Sequence, residues 1–122
     1  MVMGEIMQIG IVGQGYVGSA VREVFSKQYE TNTFDLNGKC TCRDLEELID
    51  SSDVIFVCVP TPMKKDGSCD TSIVEAIVKD INDMVVSRNV SGRIVDIKST
   101  IHPGTKNRLN NECNNKQVIL IT

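Results

Sequence analysis

Along the 122 residues the spacing of apolar positions changes several times, and each change marks a different element. Ile6 to Val12 is a short apolar run broken by Gln8 and closed by glycines, the pattern of a buried strand. Val17, Ala20, Val21, Val24 and Phe25 follow at spacings of three and one, which places them on one face of a helix and predicts that this face is buried. Thr31 to Asp35 favours extended backbone through Thr33 and Phe34, with Asp35 as its stop. Only Leu36 to Lys39 separates that strand from Cys40-Thr41-Cys42, too few residues for a helical crossover to a parallel neighbour. Asn37-Gly38 is a hairpin turn signal, so an antiparallel excursion or a plain loop fits this stretch as well as a third parallel strand does.

Leu45, Leu48 and Ile49 define one short helix, capped by Thr41 or Asp44. Val54 to Val59 is continuous and rich in β-branched residues, as a strand covered on both faces is. A loop from Pro60 to Asp70 leads to a long helix with Ser72 and Glu75 at capping-box spacing and a buried stripe of Val74, Ile77, Val78, Ile81 and Val85. Gly92 ends that unit. Ile94 to Ile97 gives another strand, Pro103 and Gly104 introduce a short helix toward Leu109, and Val118 to Ile121 forms a last strand. Strands alternating with helices predict an α/β fold, a doubly wound parallel sheet in a single domain over residues 1–122. The expected strand order is 3-2-1-4-5-6, with the first strand central and any strand at Cys40 to Cys42 short or absent. An uncovered apolar edge at Val118 to Ile121 is expected to self-associate or to pair with a partner, so a homo-oligomer is compatible with the sequence.

A chain that is 41% hydrophobic has enough apolar material for one core of this size. Its 13 basic and 16 acidic residues are scattered, with no basic block to neutralise a row of phosphates, which argues against nucleic acid as a partner. The longest apolar run, Val54 to Val59, falls far short of a membrane span, and the first residues lack the features of a signal peptide, which predicts a cytoplasmic protein without membrane attachment. Cys40, Cys42, Cys58, Cys69 and Cys113 form no C-x-x-C pair, so neither a disulfide framework nor a metal site is expected. They read as reduced thiols, with Cys58 acting as a small hydrophobe inside a strand.

The chemistry concentrates where strands end. Gly13-Gln14-Gly15-Tyr16-Val17-Gly18 lies between the first strand and the first helix. Such a string alone is weak, because glycines also mark ordinary turns. In this setting Gly13 permits a tight turn, Gly15 lets backbone approach a pyrophosphate, and Gly18 lets helix and strand pack closely. Free N–H groups at the helix N-terminus then favour the anion. Asp35 stands 22 positions after Gly13, near the spacing of a carboxylate that accepts hydrogen bonds from the adenosine ribose. Its charge, with no arginine in Leu36, Asn37 or Gly38, selects NAD over a cofactor carrying a 2′-phosphate. Val59-Pro60-Thr61-Pro62 and Lys98-Ser99-Thr100-Ile101-His102-Pro103-Gly104-Thr105 follow two later strands, and both loops should face the cofactor.

The G-x-G-Y-V-G, V-P-T-P and K-S-T-x-x-P-G-T segments, in this order, resemble the N-terminal domain of the UDP-glucose/GDP-mannose dehydrogenase family, from about Met7 to Thr122. The resemblance implies a Rossmann-type domain of an enzyme that oxidises the C6 alcohol of a nucleotide sugar to a carboxylate, reducing two NAD. It implies that Gly13, Gly15, Tyr16, Val17 and Gly18 hold the pyrophosphate, Asp35 the ribose, and Pro60, Thr61 and Ser99 the cofactor's other end. Thr100 matches the family threonine that helps orient a catalytic water, and Lys39 sits near a ribose-binding lysine. The family's nucleophilic cysteine stands in a G-G-x-C-x-P-K-D segment that this sequence lacks, and none of its five cysteines has those flanks. The chain is therefore expected to bind NAD without completing an active site. His102 reads as a solvated loop histidine.

Two other readings share these features. One is a relative oxidising 3-hydroxy acids, against which the V-P-T-P and P-G-T strings argue. The other is a free-standing NAD-binding module without catalysis. For all three, NAD should bind more tightly than NADP in calorimetry, and Asp35→Ala should narrow the difference; equal affinities in the unaltered protein would remove the role given to Asp35.

Overall fold

The computed structural model describes residues 8–13, 15–35, 41–42, 44–88, 93–99, 104–105, 107–109 and 118–121. Ile6, Met7, Gln14, Asn37-Gly38, Lys39, Cys40, Gly92, Thr100, His102, Pro103 and Cys113 lie outside the described residues. The elements are β1 (Gln8–Val12), α1 (Tyr16–Phe25), β2 (Glu30–Phe34), α2 (Leu45–Ser51), β3 (Val54–Val57), α3 (Ser72–Arg88), β4 (Arg93–Ile97) and β5 (Val118–Ile121). Residues 104–105 and 107–109 are also helical.

All four strand pairings are parallel, in the order β2-β1-β3-β4-β5. This is the expected order with the optional third strand omitted, since Thr41 and Cys42 are not in a strand. The omission moves β1 to second place and leaves β3 in the middle, a correction to the expectation that β1 is central. Thr41 occupies the outer side of β2 instead. Its N–H donates to the Thr33 carbonyl, and the Thr33 N–H donates to Thr41 Oγ1 at 2.8 Å, so side-chain and main-chain groups serve where a ladder would. The helix cap left open between two residues falls to Asp44, whose carboxylate accepts from the Glu47 N–H at 2.9 Å.

The chain moves from β1 to β2 in one direction and then crosses back past β1 to β3, so right-handed crossovers put α1 on one face of the sheet and α2 and α3 on the other. Val12, Ile55, Val57, Val95 and Ile97 meet Leu48, Ile49, Val74, Val78, Ile81 and Val85 on the second face. Leu109 closes that core. Ile9, Ile11, Phe56 and Cys58 meet Val21, Phe25 and Tyr29 on the first. Gly10 has no room for a side chain, because a Cβ there would overlap Ser52 and Leu48, so α2 rests directly on the β1 backbone.

Three further expectations are revised. The buried edge of α1 runs through Gly18, Val21 and Phe25, whereas Val17 is 49% and Val24 65% exposed. Both stripes have helical spacing, and the one containing the glycine packs because it permits the closest approach to the sheet. The cap of α3 sits one residue earlier than Ser72-Glu75. The Ser72 N–H donates to Asp70 Oδ1, and Thr71 Oγ1 donates to the Glu75 carboxylate at 2.8 Å. β3 ends at Val57, so Cys58 is buried just past the strand, not within it.

Ile81→Ala should cost about 2–5 kcal/mol, as emptying a fully buried site does, whereas Val24→Ala should stay within roughly 0.5 kcal/mol. Urea unfolding of the two variants measures this directly, and a large loss at Val24 would restore the face expected from periodicity.

Candidate functional site

The order of strands reverses at β1, whose neighbours β2 and β3 leave it in opposite directions. Loops leaving the carboxyl ends of these strands therefore part and open a crevice, the usual ligand position of a doubly wound sheet. A cavity of about 460 Å³ lies there. Most of its lining comes from four strand ends. Gly13, Gly15 and Val17 follow β1, Phe34 and Asp35 close β2, Cys58 to Thr61 follow β3, and Lys98 and Ser99 follow β4.

The turn after β1 is held by contacts that only glycines allow. Gly13 has φ +99°, and a Cβ on it would stand 2.6 Å from the Cys58 carbonyl oxygen. Its N–H donates to the Phe34 carbonyl at 2.8 Å, fixing the turn to β2. A Cβ on Gly18 would overlap the Gly13 carbonyl oxygen, so the first turn of α1 lies directly against the loop that precedes it. Gly15 differs from both. It is the N-cap of α1, offers no side chain to cap the helix, and a Cβ there would meet nothing within 4 Å. The opening beside Gly15 and the N–H groups of a ten-residue helix make room and partial positive charge for a phosphate.

Asp35 stands at the cavity immediately beyond β2. Pro60 and Thr61 form the rim beyond β3. Ser99 also reaches the lining, but its hydroxyl donates to the Val59 carbonyl at 2.7 Å, and the Lys98 N–H donates to the Val57 carbonyl at 2.9 Å. These bonds tie the β3 and β4 loops together, giving Ser99 a structural task that its sequence context did not show. Of the other residues singled out, Val17 lines the cavity, Gly18 lies beneath the turn, the Tyr16 backbone opens α1, and Thr100 is outside the described residues.

Sequence patterning did not single out Ile73 or Ile77 as lining residues. Ile73 and Ile77 extend the apolar stripe of α3 past the core and make one cavity wall. Lys98 begins the loop after β4 that is expected to face the cofactor, and it lines the cavity beside the end of β3. Cys58 lies on the floor, where burial pushes its thiol from 9.0 up to about 11; the Asp96 carboxylate adds to this and the Lys98 ammonium opposes it. A thiol held protonated is a poor nucleophile. Among the described residues no group of three metal-ligating side chains converges, and no helix is long and apolar enough to cross a membrane.

A parallel sheet with a glycine turn, an uncapped helix N-terminus and a carboxylate beyond the neighbouring strand defines a dinucleotide-binding domain of the Rossmann type. The sequence matches the UDP-glucose/GDP-mannose dehydrogenase family, NAD binding domain, over residues 30–119, and the chain belongs to that family, with NAD as its cofactor. It is 33% identical over 66 residues to GDP-mannose 6-dehydrogenase of Pseudomonas aeruginosa, a match spanning 54% of this chain and 15% of that enzyme. The crystal structure of GDP-mannose dehydrogenase from the same organism superposes with a TM-score of 0.76 at 22% identity, covering 93% of this chain and 35% of that one. A 3-hydroxyisobutyrate dehydrogenase from Mycobacterium tuberculosis superposes at 0.68 with 14% identity, covering 95% and 39%. Both structural likenesses speak to the fold.

Gly18→Ala should lower stability by about 1–3 kcal/mol through overpacking, and the change should be visible as a lower thermal midpoint. For Cys58 the sign follows from its raised pKa: the protonated thiol's contribution to stability is complete below about pH 9 and is lost as pH rises toward 11. Iodoacetamide labelling followed by peptide mass spectrometry should find Cys58 nearly inert at pH 7.5 in the folded chain and reactive in urea. Rapid labelling of folded Cys58 at that pH would contradict its assignment as a buried thiol.

Proposed function

We propose that residues 1–122 form the NAD-binding domain of a nucleotide-sugar 6-dehydrogenase acting in the cytoplasm on the C6 alcohol of a UDP- or GDP-linked sugar. The observation that carries this reading is the single cavity that brings Gly13, Gly15, Asp35 and Thr61 together at the reversal of strand order. The fit to NAD rests on the protein's own geometry: open space beside Gly15, an N-terminus without a side-chain cap, and a carboxylate at the β2 end of the same cavity.

In this reading the N–H groups opening α1 hold the pyrophosphate. Asp35 accepts hydrogen bonds from the adenosine ribose hydroxyls and repels a 2′-phosphate. Tyr16 and Val17 flank the pyrophosphate, Pro60, Thr61 and Ser99 shape the nicotinamide end, and Thr100 orients water for the hydrolytic step. The cofactor, when bound, supplies the hydride acceptor. Ile73 and Ile77 keep one wall apolar, which excludes water and strengthens the polar contacts that remain.

The family resemblance assigns the thiolate nucleophile to a segment with flanks that none of the five cysteines here possesses. Cys58 does not substitute for it, because its thiol stays protonated at neutral pH. The chain alone should therefore bind NAD and leave nucleotide sugars unchanged. Thermal-shift measurements should show stabilisation by NAD. Assays with UDP-glucose, GDP-mannose and UDP-N-acetylmannosamine should show no growth of NADH absorbance. No stabilisation by NAD would refute the binding reading, and steady NADH production would show that these residues complete an active site.

A further inference from the structure

One charged pair at the cavity has no part in the proposal above. Lys98 follows β4, and its Nζ lies 3.3 Å from Asp96 Oδ2 and 5.8 Å from the centre of the Phe56 ring. The Lys98 side chain is 44% exposed and that of Asp96 only 14%. A carboxylate and an aromatic face thus flank the ammonium, and Lys98 is also one of the residues that line the cavity. Asp96 is the register partner of Phe56.

Position along the sheet decides which part of a dinucleotide this pair meets. Asp35 lies beyond β2 and Lys98 beyond β4, three strand spacings apart in the order β2-β1-β3-β4, or about 14 Å at roughly 4.8 Å each. With the adenosine ribose at Asp35 and the pyrophosphate at Gly15 over β1, the nicotinamide ring falls at the β3 and β4 ends. That ring is cationic when oxidised and neutral once it has gained a hydride, which brings a proton and two electrons. A fixed charge beside it therefore acts on one state of the cofactor and not on the other.

We propose that Lys98 and Asp96 set the redox preference of the bound cofactor: Lys98 disfavours the oxidised ring relative to the reduced one, and Asp96 tempers that bias. The inference rests on the NAD-binding reading. A cation serving the phosphates instead would affect both states equally, because the pyrophosphate does not change charge.

The test is calorimetric titration of the full chain with NAD+, NADH and ADP-ribose, repeated for Lys98→Met and Asp96→Asn, with thermal melts to confirm folding. Lys98→Met should shift the ratio of the two affinities toward NAD+ by about 3- to 10-fold, the size expected of one partly screened charge at roughly 6–10 Å. Asp96→Asn should shift it toward NADH. Equal weakening of NAD+, NADH and ADP-ribose by Lys98→Met would make Lys98 a phosphate anchor and overturn the proposal, as would an unchanged ratio with both states still bound. Should Asp96→Asn fail to fold, the half-exposed Lys98→Met decides alone. If the unaltered chain binds none of the three, the NAD-binding reading falls together with this one.

Discussion

The site depends on a single close approach, in which the turn after β1, the first turn of α1 and the backbone leaving β3 meet with no side chain between them. Gly13 faces the Cys58 carbonyl, and Gly18 faces the Gly13 carbonyl. A methyl group at either position would push α1 away from the sheet. The helix N-terminus would then no longer stand over the end of β1, and its N–H groups would lose their aim into the crevice. The contact is thus both a packing constraint and the means by which the start of α1 is aimed at the crevice, where the pyrophosphate is proposed to bind.

Strand order carries the same constraint outward. Because β1 is flanked by β2 on one side and β3 on the other, the loops that leave it diverge, and the crevice between them needs no special residue to hold it open. The core on the α2 and α3 face is the larger of the two, joining Leu48, Val74, Ile81 and Leu109 to the centre of the sheet. It supplies a rigid floor on which Asp35, Thr61 and Lys98 can be placed from three different strands. Hydrogen bonds from Ser99 to Val59 and from Gly13 to Phe34 then lock neighbouring strand ends together, so cavity-lining groups do not depend on loop order alone.

Charge is arranged along this crevice in a definite way. A carboxylate, Asp35, stands at the β2 end, partial positive charge at the start of α1, and the Lys98–Asp96 pair at the β4 end. Cys58 lies among them without becoming reactive, since burial outweighs the nearby ammonium. Desolvation, helped by the Asp96 carboxylate, outweighs the attractive Lys98 charge, which keeps the Cys58 thiol on the cavity floor protonated at neutral pH.

Much of this was legible in the residues themselves. The elements came from periodicity, the strand order from the doubly wound pattern implied by βα alternation with a glycine loop after the first strand, and Gly13, Gly15, Gly18 and Asp35 from spacing relative to that strand. Such features are local, or depend only on chain direction and handedness, so one sequence suffices to read them. The buried face of α1 was not, because Gly18 carries no side chain and drops out of a hydrophobic pattern although it makes the tightest contact. The described residues of the optional third strand, Thr41 and Cys42, are not in a strand, and Thr41 bonds to Thr33 at the β2 edge instead, an outcome that nothing local in the sequence distinguishes. The task of Ser99 and the placing of Lys98 over Phe56 were settled only when β3 and β4 came side by side, and the apolar wall of Ile73 and Ile77 only when α3 lay along the cavity. Ser99 reaches Val59 across 40 positions of the chain, Lys98 reaches Phe56 from the neighbouring strand, and tertiary packing alone determines which distant atoms meet.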